Sequence, residues 1–305
     1  MDTPIQDDNR RSTGQGRVLL AFAAVTLIWG TTWIVIKDQL GVVPASWSVT
    51  YRFLLGSAVM FGVALITRER LWLDAKAARF VALFGIAQFC FNFNFVYRAE
   101  HYITSGLVAV VFALLFVPNT LFARLFLGQE ISRRFMAGSA VALAGIALLF
   151  VKEAQGDAAA QSATLTGIAF TLAGVLSAST ANVMQASETA RRLSMVAMLA
   201  WGMLCGSLID AAWAWYSSGP PVIELRLGYA LGLLYLGAIA SALAFTLYFW
   251  TIRQLGPGKA AYSSVVIPII AMGISTVAEG YQWTALSVAG GVLALAGMVI
   301  ALGRR

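Results

Sequence analysis

Charged and ionisable residues are scarce in this sequence. Only 11% of its 305 residues are Asp, Glu, Lys or Arg, whereas soluble domains carry about 25%. His101 is the one histidine, and the two cysteines, Cys90 and Cys205, lie within apolar runs. A soluble domain is therefore excluded, and neither a disulfide framework nor a metal centre is predicted.

Motifs for several kinds of cofactor or energy-coupled chemistry are also missing. The sequence has no G-x-x-x-x-G-K-[ST] loop, which an ATP-driven pump needs to hold phosphates. Its four lysines, Lys37, Lys76, Lys152 and Lys259, fall at the ends of apolar runs or between them, which argues against a buried retinal Schiff base. A single histidine excludes bis-histidine haem ligation. We therefore expect no cofactor and no catalytic residue.

Apolar side chains dominate what is present. They make up 59% of the residues and the mean hydropathy is +0.78, while a run of about 20 apolar residues suffices to cross a bilayer. Charged and turn residues divide the apolar sequence into ten runs. The sequence therefore predicts an all-α membrane protein with ten transmembrane helices. The predicted spans are residues 18–36, 46–67, 78–98, 102–127, 134–151, 165–187, 194–216, 228–251, 258–278 and 284–302.

The basic residues predict the orientation of these spans. Sixteen of the 21 Lys and Arg fall on one side of the alternating spans, four fall on the other, and Arg52 lies within a span. Short loops rich in Lys and Arg stay on the cytoplasmic side of a membrane. We therefore expect a multi-pass protein of the bacterial inner membrane, surrounded by lipid, with both termini in the cytoplasm. The net charge of +7 then indicates orientation rather than a nucleic-acid partner.

The order of several apolar segments indicates an internal duplication. The stretch 140–148 recurs at 292–300, an offset of 152, and Gly85 and Gly237 share that offset. Because each half holds an odd number of spans, the second half must be inverted relative to the first, as in many secondary transporters. The predicted parts are a cytoplasmic tail (1–17), a first five-helix repeat (18–151), a periplasmic linker (152–164), a second five-helix repeat (165–302) and a cytoplasmic C-terminus (303–305).

Polar side chains inside the spans are candidates for a binding site, because an unpaired polar group is costly in hydrocarbon. Gln88 and Asn92 are four residues apart and share one helix face. Asn94 lies about 200° round from Asn92 and therefore serves as the control on the opposite face.

The predicted binding site combines amides, hydroxyls and aromatic faces. The predicted substrate-binding residues are Trp33, Gln88, Asn92, Asn119, Asn182, Tyr248 and Ser263. Their polar groups would bind an ammonium and a carboxylate, while the aromatic faces take the substrate's side chain. The same residues also have structural interpretations, as interhelical hydrogen-bond clamps or as packing and membrane-interface aromatics. Pro118 and Pro268 are predicted to interrupt spans 4 and 9, either as hinges of alternate gates or as static kinks.

Two spans carry a charge, and two others present flat glycine faces. Arg52 and Asp210 lie at similar depths in spans 2 and 7, so an ion pair between them is geometrically possible. By default each is expected to reach water separately, Arg52 by snorkelling outward. Close packing of spans 5 and 10, outside the binding site, is predicted from Gly138, Gly145, Gly290 and Gly297.

Four motifs resemble those of one transporter family. They are Trp29-Gly30-Thr31-Thr32-Trp33 followed by Lys37, Arg52-Phe53, Tyr102-Ile103-Thr104-Ser105-Gly106 and Leu125-Phe126-Leu127-Gly128-Gln129-Glu130. With the glycines of spans 5 and 10, they resemble the EamA branch of the drug/metabolite transporter superfamily, and within it the YddG-type exporters of aromatic and other amino acids. The resemblance covers nearly all of residues 18–302. It implies a ten-helix inverted repeat, a cavity lined chiefly by spans 1, 3, 4, 6, 8 and 9, and efflux of small metabolites.

The sequence thus predicts a secondary transporter that exports aromatic and other neutral amino acids, or related small metabolites, by alternating access. The candidate site contains no mid-span carboxylate or lysine, which favours a zwitterion over a substrate with a net charge. Facilitated diffusion without ATP or sodium is preferred, and proton exchange through Glu130 or Glu188 stays open. The alternative is a membrane-embedded enzyme acting on lipid or isoprenoid substrates. Glu130 and Glu279 could in principle bind a metal, but the predicted topology puts them on opposite sides of the membrane, so they cannot share a site. A passive channel is the second alternative.

Overall fold

The computed structural model describes residues 4–151, 157–255 and 263–303, and all regular structure in this part of the chain is helical. A short helix, Glu188–Arg191, connects two of the long ones. The long helices are α1 (Pro4–Asp38), α2 (Ala45–Thr67), α3 (Ala75–Ala99), α4 (Ser105–Leu127), α5 (Arg133–Leu149), α6 (Ala158–Ala186), α7 (Met195–Ser218), α8 (227–255), α9 (Ser263–Ala278) and α10 (Ala285–Leu302).

Eight of the described helices are long and apolar enough to cross a membrane. Helix α5, with 17 residues, and the described part of α9, with 16, are shorter. At about 1.5 Å per residue they reach roughly 25 Å, against about 30 Å for the hydrocarbon core. The predicted start of span 9, residues 258–262, lies outside the described residues. Large apolar side chains such as Leu65, Leu125 and Val277 are exposed, as expected for a surface that faces lipid.

Helix boundaries follow from local capping chemistry. Asp74 starts α3 by accepting a hydrogen bond from the Ala77 N–H at 2.7 Å, and Thr284 and Ser287 form a capping box at the start of α10. Gly128 ends α4 in the left-handed conformation, with φ +68°, which glycine adopts without strain. Helix α1 begins at Pro4, so it extends the predicted first span back through most of the predicted tail.

Two helices contain π-helical segments at corresponding positions. In α3 the segment is Ile86–Phe91, and in α8 it is Tyr235–Leu243. The two segments end 152 residues apart, which is the offset of the sequence duplication. A π segment changes the direction in which the following side chains point, and such segments are frequent at functional sites.

Helices α5 and α10 pack backbone to backbone. A Cβ added to Gly145 would lie 2.3 Å from the backbone nitrogen of Ala294, and one added to Gly297 would lie 2.2 Å from that of Ala142. Only glycine permits this approach. The predicted close packing of spans 5 and 10 is confirmed, and neither helix reaches the cavity described below.

The first five and the last five helices interleave rather than forming separate bodies. Helix α2 packs against α7 and α8, and α7 also packs against α3. A Cβ on Gly56 of α2 would lie 3.2 Å from the carbonyl oxygen of Gly237 in α8, and one on Gly206 of α7 would lie 2.6 Å from that of Gly85 in α3. Likewise, α1 of the first half lies against α8 and α9 of the second half, while α6 of the second half lies against α3 and α4 of the first.

Arg52 and Asp210 are both buried and do not pair with each other. Helices α2 and α7 pack together, but it is Thr50 that donates to the Asp210 carboxylate, at 3.0 Å. Arg52 follows two residues later and points about 200° away from Thr50, so its Nε donates instead to Ser241 Oγ of α8 at 3.0 Å. The ion pair that the sequence left possible does not form, and the expected contacts with water are wrong, because packed helices supply other partners.

Candidate functional site

A cavity of about 950 Å³, including its opening, lies between α1, α2, α3, α4, α6, α8 and α9. Ser263, one of the predicted binding residues, begins α9, but its side chain lies outside the described part of the chain. The other six predicted binding residues line the cavity: Trp33, Gln88, Asn92, Asn119, Asn182 and Tyr248. Their role in substrate binding stays a prediction.

Helix α3 contributes two buried amides to the cavity wall. Gln88 lies within the π segment, and Asn92 follows it directly. Within the described residues, Gln88 Oε1 and Asn92 Oδ1 have no hydrogen-bond partner. An unsatisfied buried acceptor costs about 1–3 kcal/mol, so these two oxygens are suited to accept hydrogen bonds from a ligand.

A second pair of amides joins α4 to α6. Asn182 Nδ2 donates to Asn119 Oδ1 at 3.4 Å, which is long for a hydrogen bond. Because this contact is weak, both amides retain most of their capacity to bind a substrate. Both side chains are partly exposed within the cavity, unlike the two buried amides of α3.

The two prolines lie in helices that border the cavity. Pro118 has no N–H to donate to the carbonyl of Leu114, and the chain there forms a 3₁₀ turn, Ala113–Leu115. Pro118 is buried behind the cavity wall, whereas Pro268 of α9 lies on it. The predicted interruption of span 4 is present, whereas the helix Ser263–Ala278 runs unbroken through Pro268. The action of either proline as a hinge stays a prediction.

Aromatic rings from α1, α4 and α8 form the apolar part of the wall. The Trp29 ring lies 4.8 Å from that of Tyr248 and 5.2 Å from that of Phe245, measured between centroids. The Trp29 indole also donates to a backbone carbonyl of α8 at 3.1 Å, which fixes its orientation. Trp33 packs against Phe112 at 5.6 Å, and its buried indole nitrogen has no partner among the described residues.

Arg52 of α2 also lines the cavity, although its position near a helix end predicted a contact with water. The side chain is 1% exposed, and its guanidinium carbon lies 4.3 Å from the centre of the Phe93 ring. A lone cation inside a span was the signal that could have identified it, because such charges usually serve function. The cavity therefore holds a fixed positive charge that the predicted site lacked.

Polar contacts tie four helices together at one end of the bundle. Lys37 of α1 donates to the carbonyl of Glu100 after α3, and the Glu279 carboxylate after α9 accepts from the Ser105 N–H of α4 at 3.1 Å. Glu100 is fully buried. Burial raises the pKa of its carboxyl well above the ordinary value of 4.5; Lys37 and Arg52 oppose the rise and Glu279 adds to it.

Both halves of the chain, residues 16–151 and 165–303, match the EamA-like transporter family. The chain belongs to this family. As an EamA-like transporter with several helices of membrane-spanning length, it is a multi-pass membrane protein with a small-molecule substrate. The resemblance drawn from the four sequence motifs is thereby confirmed.

Relatives of this EamA-like transporter are known from other bacteria. "Protein PagO" of Salmonella typhimurium is 24% identical over 87% of this chain and 86% of its own length. The "Probable amino-acid metabolite efflux pump" of the same organism is 24% identical over 90% and 91%. The "Uncharacterized inner membrane transporter YedA" of Escherichia coli is 27% identical over 93% and 90%. The last name supports the inner membrane as the location.

A solved structure shares the fold of this EamA-like transporter. It superimposes with a TM-score of 0.67 at 20% identity and covers 93% of this chain and 96% of the other. The likeness concerns the arrangement of the helices.

Proposed function

We propose that this EamA-like transporter exports neutral amino acids, with a preference for aromatic and other large side chains. The observation that carries the proposal is the cavity, where aromatic rings lie beside the unpartnered oxygens of Gln88 and Asn92. Amide oxygens bind an ammonium group, and aromatic rings offer an apolar face to a large side chain. The name of the amino-acid metabolite efflux pump supports the same substrate class.

The other predicted residues take complementary roles in this proposal. Asn119 and Asn182 offer both donors and acceptors to the polar end of the substrate. Trp33 and Tyr248 stack on its side chain, and their indole N–H and hydroxyl add directional hydrogen bonds. Ser263, at the start of α9, is the remaining proposed binding residue.

The proposed architecture is ten spans in two inverted five-helix repeats, with both termini in the cytoplasm. The match of both halves to the family supports this architecture, as do the π segments at corresponding positions. The glycine contacts of α2 with α8 and of α7 with α3 also support it, because they join equivalent helices of the two halves. We assign 1–17 to a cytoplasmic tail, 152–164 to a periplasmic linker and 303–305 to the cytoplasmic end. The distribution of Lys and Arg supports this orientation.

Transport proceeds by alternating access in this proposal. The contacts of Lys37 with Glu100 and of Glu279 with Ser105 fasten the helix ends that the orientation places in the periplasm. Their release, together with bending at Pro118 and Pro268, opens the cavity outward. No phosphate loop is present in the sequence, so the concentration gradient of the substrate drives the flux, without ATP or sodium.

The alternative of a metal-dependent lipid enzyme is not supported by the positions of the two glutamates. Glu279 bonds to Ser105 at the start of α4, whereas Glu130 follows the end of that helix at Leu127. A helix of 23 residues separates them. One metal ion therefore cannot bind both.

Uptake of labelled tryptophan and lysine into proteoliposomes tests the proposal. We expect saturable tryptophan uptake that phenylalanine, tyrosine and methionine inhibit, with weaker uptake of lysine and no effect of removing sodium. Protein-free liposomes provide the background. No saturable tryptophan uptake, or a strong preference for lysine, contradicts the substrate class. Strict dependence on an imposed pH gradient contradicts only the uncoupled mechanism, and release of a lipid turnover product favours the enzyme.

A further inference from the structure

Arg52 is the only charged side chain that lines the cavity in the described part of the chain. The side chain is 1% exposed, and its Nη1 has no hydrogen-bond partner among the described residues. A buried cation without a counter-charge is costly, and the usual resolution is an anion. The described ion pairs, Arg192–Glu188, Arg226–Asp38 and Arg226–Glu224, do not include it.

Contacts with α8 and α3 fix the orientation of the Arg52 guanidinium. Its Nε donates to Ser241 Oγ at 3.0 Å, and Ser241 in turn donates to the backbone carbonyl of Leu236 at 2.7 Å within the π segment of α8. The Phe93 ring supports the opposite side through a cation–π contact of 4.3 Å. Close packing of Gly237 against the Arg52 backbone brings the two helices near enough for these contacts.

The two buried acids, Asp210 and Glu100, do not form an ion pair with Arg52. Glu100 interacts with it electrostatically, but the described ion pairs include neither acid. Asp210 of α7 accepts from Thr50 and Asn94, and these contacts lie on the side of α2 that faces away from Arg52. The remaining Nη1 donor of Arg52 is therefore left for a molecule in the cavity.

We propose that Arg52 binds the carboxylate of the transported substrate. This inference rests on the proposed export of amino acids and names the group that recognises their acidic end. A guanidinium binds a carboxylate with strong, charge-assisted hydrogen bonds. The Trp33 indole N–H supplies a further unpartnered buried donor in the same cavity.

The position of Arg52 suits a substrate whose two charges sit close together. Phe93, which contacts the guanidinium, and Asn92 are consecutive residues of α3, and Arg52, Phe93 and Asn92 all line the cavity. In an α-amino acid the ammonium and the carboxylate are attached to the same carbon. Arg52 then takes the carboxylate while Asn92 and Gln88 accept hydrogen bonds from the ammonium. Molecules that carry only the ammonium are repelled by the fixed cation.

The first test uses the wild-type protein and varies the ligand. Uptake of labelled tryptophan into proteoliposomes is measured with unlabelled tryptophan, tryptophanamide, tryptamine or indole-3-propionate added as the competitor. We expect the amide and the amine to inhibit at least about ten-fold more weakly than tryptophan, and indole-3-propionate, which keeps the carboxylate, to retain inhibition. Equal inhibition by tryptophan and tryptamine overturns the proposal, and no variant needs to fold for this result.

The second test changes Arg52 and measures binding separately from transport. For Arg52→Met we expect the KM for tryptophan to rise at least about ten-fold, with Arg52→Lys intermediate because it keeps the charge but loses the planar donor fork. Arg124→Met, which removes an exposed arginine from α4, is the matched control and should leave KM unchanged. In detergent, indole-3-propionate should raise the melting temperature of the wild type but not of Arg52→Met.

These readouts separate the two proposals. If no amino acid is transported but the carboxylate still stabilises the wild type alone, the proposed function fails and the role of Arg52 stands. If tryptophan is transported and Arg52→Met keeps the wild-type KM, the role of Arg52 fails and the proposed function stands. Equal stabilisation of both proteins by indole-3-propionate also overturns the role of Arg52.

Discussion

Asn94 of α3 donates its side-chain N–H to the carboxylate of Asp210 in α7, and this contact joins the two halves of the chain behind the cavity wall. Asn94 also accepts from Ser46 Oγ of α2 at 2.6 Å. The residue faces away from Gln88 and Asn92, as its position on the helix predicted. It is nevertheless not an inert control, because it partners a buried carboxylate.

The first prediction follows from that contact. Asn94→Ala removes a donor from a buried carboxylate and should lower the free energy of unfolding by about 1–3 kcal/mol. The measurement is thermal unfolding in detergent, together with transport per folded molecule, which should be retained. Thr180→Ala on the exposed side of α6 is the control, since its hydroxyl bonds only to its own helix. A wild-type melting temperature in Asn94→Ala contradicts the structural role.

The second prediction concerns the cavity amides and hydroxyls. Gln88→Ala and Tyr248→Phe should each impair tryptophan transport without lowering the melting temperature, because each removes a polar group that faces the substrate. A hydrogen bond to a charged group contributes about 1.5–3 kcal/mol, so KM should rise roughly ten- to hundred-fold. Unchanged kinetics in both variants, with equal amounts of folded protein, would show that these side chains do not bind substrate.

The third prediction tests the glycine contact of α5 and α10. Gly145→Ala places a methyl group 2.3 Å from the Ala294 nitrogen and should sharply reduce the yield of folded protein. Gly291→Ala is the matched control, because its nearest neighbour would lie at 3.9 Å. That change should be neutral or mildly stabilising, since alanine is favoured in helices by about 1 kcal/mol. Similar yields from the two variants contradict the packing.

The fourth prediction concerns pH and Glu100. A carboxyl whose pKa is raised on folding contributes stability that is complete below its ordinary value of 4.5 and is lost as the pH rises through the raised pKa. Glu100→Gln should therefore melt at a higher temperature than the wild type at about pH 8 and show a weaker dependence on pH.

His101, whose pKa burial lowers below 6.5, remains in both proteins, so their difference isolates Glu100. Glu69→Gln in an exposed loop is the control and should follow the wild-type curve. A parallel pH dependence of Glu100→Gln and the wild type contradicts the prediction.

The fifth prediction concerns orientation. A reporter fused after Arg305 should give a cytoplasmic signal, and one inserted within the linker, residues 152–164, should give a periplasmic signal, because the basic residues cluster on one side of the spans. The reverse result for either reporter excludes two inverted five-helix repeats.

The sequence predicted those features that depend on one helix at a time. Gln88 and Asn92 were assigned to one face and Asn94 to the other from helical periodicity alone, and all three lie as assigned. The glycines of spans 5 and 10 were likewise identified from their spacing. The partners of Arg52 and Asp210 were missed, because periodicity does not specify which helix of the other half lies opposite.

Gly56 and Gly206 make equivalent contacts in the two halves, but the halves differ in the charge that they supply to the cavity. The offset that relates Gly56 to Gly206 relates Arg52 to Gly202, so only the first half supplies a cation. A zwitterion bound to Arg52 keeps its dipole in one direction relative to α2 in both the inward-open and the outward-open state. In the proposed cycle the two states are therefore not related by symmetry at the binding site, and their affinities for the substrate need not be equal. An uncoupled carrier must still bring the substrate to equal concentrations on both sides of the membrane. The asymmetry can therefore change the rates of efflux and influx at a given substrate concentration, but not the final distribution of the substrate.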